Sequence, residues 1–556
     1  MGSISFQVGD QVVTIPAQLE APVDGVVEVT GNFPNGFEVP AGETWEIKGH
    51  VTSNANVVVR GDLRMRPGSW LEFICDNSVT GGDAQAPVAN DVGLWMVGRG
   101  RLDAKGTPKT GWTRATTGLT AGQTTFQVQD ASGWKVGDTI AITATLPRMN
   151  PNGGPDRRDD RRTITAINGN SITVNQGLQY AHPARTINGT TYTAEVANLT
   201  RDVKITGRSN GRAHIIFLHQ GSQQGLQHFD ISHVELAHLG FPGESGRYAL
   251  HFHHAMDTTR GVRVEGVVAR DCGGHCFVSH NSHGIYWYDC VTAYTVDTPY
   301  WWDFQAASDD ITYDKCLAMR SAGDGDKYSN TGFWLNFTVT PMESKCIGCV
   351  AAQIEGANDN SGFFWVNDSE GVWTFEDNLA HNISSWQGAG IRVWQNSSPI
   401  HPIERTTIYA CNIGVRNGAY GNNYQYLGLD IDDCDRGIES QAQPGGQQKW
   451  HDVHLTNCGK TLRLHDAPVG SASTGTNFRN CTGLKPIDVV RYHNDSSSSC
   501  RWDFIDCGVE PSDFNFTSDS SLGPSRNTPY TLRVQNGTTA WRKTHNTDWT
   551  SIAPFA

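Results

Sequence analysis

Short strand-like segments that recur at a nearly constant interval limit the possible folds of this chain more than any other feature. Each segment alternates polar and apolar residues, ends in Asp or Asn, and is followed by Cys or Asn, as in Val453–Cys458 and Trp502–Cys507. The cysteines at 411, 434, 458, 481 and 507 follow one another at intervals of 23, 24, 23 and 26 residues. Such a period is typical of solenoids, whose repeats bury their apolar faces only by stacking on one another.

The repeats carry strand and turn signals, but no convincing long stretch has the apolar period of a helix. β-Branched residues flank Asn-Gly and Gly-Asn pairs, for example in Ala166–Val174, which is turn chemistry. The sequence therefore predicts an all-β chain folded as a right-handed parallel β-helix. Its 13 cysteines, an odd number, are predicted to stack as an internal ladder of small buried side chains and not as a disulfide framework.

The first half of the chain departs from this repeat. Residues 115–200 contain strand-like segments such as Thr125–Val128 and Gly137–Thr143, which indicate an inserted β module. We predict five parts: an N-terminal segment (1–24), the first β-helix coils (25–114), the inserted β module (115–200), the main β-helix repeats (201–525) and a C-terminal tail (526–556).

The charge and hydropathy of the chain argue against two classes of partner, nucleic acids and membranes. The formal net charge of −14 argues against nucleic acid or an anionic membrane surface as the main partner. No apolar run reaches 18 residues, so we expect no membrane insertion. The first ten residues lack a basic segment followed by an apolar one and show no signal peptide. We therefore expect either a trimmed signal or release by another route, such as lysis of a phage-infected cell.

Imidazoles cluster at Gly246–His254, where three histidines lie within four positions. Strand alternation would place His251 and His253 on one face, with Phe252 and His254 on the other. Imidazoles are the commonest metal ligands and are acid–base groups near neutral pH. The alternative interpretation is a polar ladder, with the histidines bonded to each other, to backbone or to water.

Further residues near the cluster complete a candidate site. We predict His251, His253, His280, Asp257 and Asp303 as catalytic residues, and the three histidines also as ligands of a divalent metal, Ca²⁺ or Zn²⁺. The predicted substrate-binding residues are Arg247, Tyr300, Trp301, Trp302 and Trp334. Aromatic faces stack on sugar rings, and alternation along Tyr300–Trp302 predicts at least one exposed ring, although burial in the solenoid is the alternative.

The segment Gly246–His253 resembles the Gly-Arg-Tyr-Pro-Val/Ile-His-Phe-His motif of the eight-glycine-domain/β-helix family, which includes CEMIP-type hyaluronidases and fibrocystin-like proteins. Flanking segments are also similar, notably 233–240, 276–284 and 361–365, and the resemblance covers roughly residues 35 to 370. It implies a right-handed β-helix associated with extracellular, hyaluronan-like polysaccharide. The chain departs from the family pattern at His254 and at 299–303, so its substrate is expected to differ if the latter segment shapes the groove.

The leading hypothesis is a polysaccharide-recognising, glycan-cleaving β-helix, either a hydrolase or a lyase. We place it outside the cell or on a virion, as a phage minor tail protein or tailspike that contacts the bacterial surface. Its partners would be a cell-surface glycan and either two further copies in a homotrimer or other tail proteins. The alternatives are a structural or adhesive tail component without catalysis, and a secreted bacterial hyaluronidase-like enzyme.

Overall fold

The computed structural model describes most of the chain. The described residues are 4–8, 11–15, 25–75, 86–149, 154–209, 213–218, 230–302, 308–323, 330–335, 343–356, 360–365, 372–385, 387–394, 396–418, 422–440, 448–465, 475–491, 500–518 and 529–555.

Three columns of parallel strands wind around one axis and form a right-handed parallel β-helix, as the repeat predicts. The first face contains Val26–Phe33, Thr44–Ser53, Asp62–Met65, Arg101–Lys105, Asp230–Ser232, Arg263–Glu265, Tyr286–Tyr288, Thr312–Asp314, Glu343–Ile347, Val372–Glu376, Asn396–Glu404, Asn422–Leu427, Lys449–His451, Thr476–Arg479, Cys500–Ile505 and Tyr530–Asn536. The second face contains Trp70–Phe73, Val203–Thr206, Val234–Ala237, Val268–Arg270, Val291–Val296, Leu317–Ala322, Val350–Ile354, Leu379–His381, Thr407–Tyr409, Asp430–Asp432 and His454–Thr456. The two longest early strands, 26–33 and 44–53, bend across both faces.

The third face is a separate sheet of 15 strands. It contains Phe37–Val39, Val57–Val59, Gly93–Val97, His214–Leu218, Leu250–Met256, Phe277–Ser282, Tyr300–Trp301, Thr331–Leu335, Ser361–Trp365, Ala389–Val393, Ile413–Asn417, Arg436–Ser440, Lys460–His465, Ile487–Arg491 and Phe514–Ser518. Short 3₁₀ helices occupy Asp257–Thr259 and Pro511–Asp513, and antiparallel strands pair at Ile4–Val8 with Gln11–Ile15 and at Thr539–Thr544 with both Tyr530–Asn536 and Thr550–Ile552.

Two-residue corners between the first and second faces explain the Asp-Cys and Asn-Cys signature. The first corner residue is left-handed, with φ of 50° at Asp289 and 53° at Asn480. Asp and Asn adopt this conformation more readily than most residues. The second corner residue, Cys290 or Cys481, is buried inside the coil. All 13 cysteines are free and 12 of them are buried, which confirms the predicted internal ladder.

Residues 112–198 form a separate antiparallel β module on the outside of the second face. Its strands are Trp112–Arg114, Thr125–Gln127, Thr139–Ile142, Asp160–Asn168, Ser171–Val174, Arg185–Ile187, Thr190–Tyr192 and Glu195–Asn198. Apolar side chains of the module, including Trp112 and Ile187, pack on outward residues of the second face such as Val291 and Met319. The predicted boundary at 525 falls among residues that the structure does not describe, and the five-part division of the chain stays a prediction.

Polar contacts also join the module to distant coils. The Trp112 indole donates to the carbonyl oxygen of Lys315 at 2.7 Å, and Arg185 pairs with Asp432 at 2.8 Å. The buried Glu195 carboxylate lies 3.1 Å from His381 Nε2. The module thus bridges several coils of the second face. Within the described part of the chain, no helix is long and apolar enough to cross a membrane.

Candidate active site on the third face of the β-helix

Two neighbouring strands of the third face position the central histidines. Strands Leu250–Met256 and Phe277–Ser282 pair in parallel, with His251 beside Val278 and His253 beside His280. Side chains alternate along a strand, and Phe252 packs in the solenoid core. His251 and His253 therefore share one face, as sequence alternation predicts, and that face points away from the core.

The three imidazoles converge. One nitrogen from each of His251, His253 and His280 lies within 4.8 Å of the other two. The Nδ1 atoms of His253 and His280 are 3.1 Å apart, and the His251 and His280 rings are parallel with centroids 5.8 Å apart. The predicted catalytic and metal-binding histidines are thus brought to one place, although the roles assigned to them stay predictions.

Burial fixes the protonation of His251. Loss of solvent lowers the pKa of His251 well below its ordinary value, and the neighbouring His253 and His280 lower it further. The ring is therefore neutral at pH 7 and carries one proton. Its Nδ1 lies 3.0 Å from the Gly246 carbonyl oxygen, which can only accept, so the proton sits on Nδ1. The lone pair is on Nε2, which is buried and has no hydrogen-bond partner.

His254 does not lie on the core side with Phe252, and this prediction is wrong. Its φ of 49° breaks the alternation, and the strand pairing shifts register just after His253. The His254 ring instead lies 4.4 Å, centroid to centroid, from both His253 and His280. His254 and His280 are half-buried, so the cluster reaches solvent on this side.

Aromatic side chains border the imidazoles on the other side. The Trp301 ring stacks on His275 at 4.1 Å, and Tyr248 lies 4.9 Å from the His251 ring and 5.7 Å from Trp301. Trp301 follows the column of His251 and Val278 and so faces outward. It is nevertheless buried, with 8% of its surface exposed.

The other predicted sugar-stacking residues are buried, so the expected exposed platform is absent at these positions. Tyr300 and Trp302 are fully buried because alternation turns them into the solenoid core. The Tyr300 hydroxyl donates to the carbonyl oxygen of Cys290 at 2.8 Å, and Trp302 packs on Trp373. Trp334 is buried against Phe364, edge to face at 5.1 Å.

Arg247 is a buried cation, and its predicted role in substrate binding stays a prediction. Its guanidinium forms a very short ion pair with Asp91 and lies over the Trp95 ring at 5.8 Å. Burial raises the pKa of Asp91, and the charge and hydrogen bond of Arg247 offset part of this rise. The carboxylate and the guanidinium therefore neutralise each other inside the protein.

Of the two predicted acidic residues, only Asp257 is described, and it does not join the three histidines. Asp257 is exposed and pairs with Arg260 at 2.7 Å, in the 3₁₀ turn that follows the strand. Asp303 lies outside the described residues. Sequence reasoning missed His214, which is fully buried on the same side of the third face and lies 3.4 Å from Asp91. An isolated histidine at the start of an apolar strand gives no sequence signal, and its partner is distant in the chain.

No family model matches the chain. Curated proteins match part of it. A G8 domain-containing protein of Dictyostelium discoideum is 25% identical over 245 residues, covering 41% of this chain and 16% of that protein. Mouse fibrocystin-L is 29% identical over 234 residues, covering 34% of the chain and 5% of that protein. The zebrafish cell surface hyaluronidase is 25% identical over 190 residues, covering 27% of the chain and 13% of that protein. The chain therefore spans a small part of these relatives' length.

Solved structures align over most of the chain, at low similarity. The tailspike of Pseudomonas phage phi297 covers 87% of this chain, and the chain covers 75% of it, with 10% identity and a TM-score of 0.22. A glycoside hydrolase covers 74% of this chain, with 89% of its own length matched, 9% identity and a TM-score of 0.20. The β-helical architecture of this chain rests on its own strand pairing.

Proposed function

We propose that the third face of this β-helix binds a glycan chain and cleaves it, with His251, His253 and His280 at the reaction centre. The observation that carries the proposal is the convergence of three imidazoles from two successive coils. They lie on the outward side of the solenoid, at a point that opens to solvent through the half-buried His254 and His280. Imidazoles provide acid–base catalysis near neutral pH.

The shape of the third face suits an extended polymer. Strands of successive coils are about 4.8 Å apart, so outward positions form columns parallel to the axis. One such column contains, in register, Trp95, Ile216, His251, Val278 and Trp301. These five residues are buried, so a polymer that lies along this face would reach the imidazoles at the half-buried His254 and His280. Similarity to the zebrafish cell surface hyaluronidase over part of the chain also supports a polysaccharide substrate.

Glycan cleavage is tested by mixing the purified protein with hyaluronan, chondroitin and bacterial surface glycans. Reducing ends report hydrolysis, and ultraviolet absorbance of unsaturated ends reports elimination. Acid–base groups contribute about 10²- to 10⁴-fold, so His280→Ala should lower turnover by at least about 100-fold. His50→Ala, which removes an exposed imidazole paired with Glu72 on other coils, should leave turnover unchanged.

Two results would overturn this proposal. One is the absence of turnover on every glycan of the panel by the wild-type protein. The other is full activity in His280→Ala, with a circular dichroism spectrum that shows an intact fold. Placement outside the cell, on a phage tail or as a secreted enzyme, is part of the proposal. Mass spectrometry of purified virions and of the culture medium would locate the protein.

A further inference from the structure

We propose that His251, His253 and His280 bind one divalent transition-metal ion of the Zn²⁺ class through three imidazole nitrogens. This site rests on the proposed function and deepens it, because with an ion bound the three imidazoles would act as ligands, and the ion would supply the activated water in place of imidazole acid–base catalysis. The geometry of the site does not depend on that function. The three potential ligand nitrogens lie within 4.8 Å of one another, and all three side chains come from adjacent strands of one rigid sheet.

The His251 ring already has the tautomer that a metal ligand requires. Its Nδ1–H donates to the Gly246 carbonyl oxygen at 3.0 Å, which leaves the lone pair on Nε2. Histidine ligands of metals almost always donate their second nitrogen in this way, because the hydrogen bond fixes both tautomer and ring orientation. The buried Nε2 has no hydrogen-bond partner. A buried acceptor without a donor is costly, and a cation at this position would remove that cost.

The spacing of His253 and His280 also fits a shared cation. Zn–N bonds of about 2.0–2.1 Å in a tetrahedral site place two ligand nitrogens about 3.3 Å apart. The Nδ1 atoms of His253 and His280 are 3.1 Å apart and share a hydrogen bond. Transfer of its proton to the other nitrogen of the donor ring would leave two lone pairs at close to the spacing that a shared ion requires. The three potential ligand nitrogens lie within 4.8 Å of one another, so a small inward shift of these side chains on binding would complete the site.

The type of ligand atom determines which metal ion this site favours. Ca²⁺ binds six to eight oxygen ligands, whereas this group offers three nitrogens. Of the two ions expected from the sequence, the geometry therefore favours Zn²⁺. Three protein ligands leave a fourth tetrahedral position for water or a substrate oxygen, as in catalytic zinc sites. The half-buried His280 marks the side from which a ligand would enter.

Metal binding is tested directly on the purified chain, without glycan. The protein is treated with a chelator, dialysed, and titrated with Zn²⁺ by isothermal calorimetry, and with Co²⁺ while the visible spectrum is recorded. We expect one Zn²⁺ per chain, a tetrahedral Co²⁺ spectrum, and no displacement of Zn²⁺ by millimolar Ca²⁺. His280→Ala should weaken Zn²⁺ binding by at least about 100-fold, whereas His50→Ala should bind as the wild type does.

His251 is fully buried, so His251→Ala is interpreted only if its circular dichroism and metal-free melting temperature match the wild type. His280→Ala carries the test in either case. The proposal is overturned if the wild type binds no stoichiometric Zn²⁺, if His280→Ala binds it equally well, or if Ca²⁺ displaces it. Zn²⁺ binding without glycan turnover would support the metal site and contradict the proposed function. Glycan turnover by a wild type that binds no stoichiometric Zn²⁺ would support the proposed function and contradict the metal site.

Discussion

Acid should weaken the attachment of the β module through one buried carboxylate, Glu195. Burial alone would raise the pKa of Glu195, but His381, Arg114 and the Thr143 hydroxyl lower it from 4.5 to about 2. The ring of His381 donates from Nε2 to this carboxylate. It also donates from Nδ1 to Asn382 Oδ1, since the Asn382 amide nitrogen is committed to Leu146 and Asp156. The protein thus holds Glu195 ionised.

The size of the effect follows from linkage. Because the folded pKa is depressed, the stabilisation is fully present above pH 4.5 and is lost as the pH falls toward 2. Each pKa unit corresponds to about 1.4 kcal/mol, so the shift of Glu195 is worth about 3 kcal/mol. Glu195→Gln removes the ionised group and leaves His381 and Arg114 without their buried counter-ion, which should destabilise the protein by a similar amount at pH 7.

The measurement is urea denaturation of the wild type and of Glu195→Gln between pH 7 and pH 2.5. The difference in unfolding free energy between the two proteins should be about 3 kcal/mol at pH 7 and should shrink steadily below pH 4.5. Glu343→Gln, a matched change at an exposed strand position, should show a small difference that does not vary with pH in this way. A Glu195→Gln difference that is equal at pH 7 and pH 2.5 would refute the linkage argument.

Two other perturbations test the packing around the third face. Gly362→Ala would place a Cβ 2.7 Å from a backbone carbonyl oxygen of the next coil, so the melting temperature should fall by several degrees. In Gly323→Ala the new Cβ would meet nothing closer than 3.3 Å, so the melting temperature should fall less. Equal decreases in the two variants would contradict the steric explanation. Arg247→Met leaves the Asp91 carboxylate buried without its counter-ion and should lower the free energy of unfolding, measured by denaturant titration, by about 3–5 kcal/mol. The double variant with Asp91→Asn should recover much of this stability. A double variant as unstable as Arg247→Met would show that the unpaired charge is not the cause.

The sequence was sufficient to predict the fold because a solenoid repeats one local pattern. Six of the cysteines follow an Asp or Asn, a residue type that favours the left-handed conformation of the corner. The cysteine after it fits the small space inside the coil, so both features are visible in the sequence. The shared face of His251 and His253 follows from alternation in the same way. A local conformational exception, the positive φ of His254, cannot be derived from alternation.

Contacts between distant parts of the chain explain what the sequence did not predict. Arg247 is neutralised by Asp91, 156 residues earlier, so its burial as an ion pair has no local signal. Tyr300 and Trp302 alternate with Trp301 as expected, yet all three are buried. Alternation assigns a side chain to the inner or outer surface of a coil, but it does not report what covers the outer surface. The burial of these aromatic residues therefore could not be predicted from alternation.

The module on the second face also has a mechanical consequence. A solenoid without such a module can unfold coil by coil from either end, because each coil contacts only its neighbours. Here the module contacts coils as far apart as those of Lys315 and Asp432, through Trp112 and Arg185. Under a pulling force, the coils that contact the module should unfold together, whereas the coils after Asp433 should unfold one at a time. The module thus makes the coils that it contacts one cooperative unit of unfolding within the solenoid.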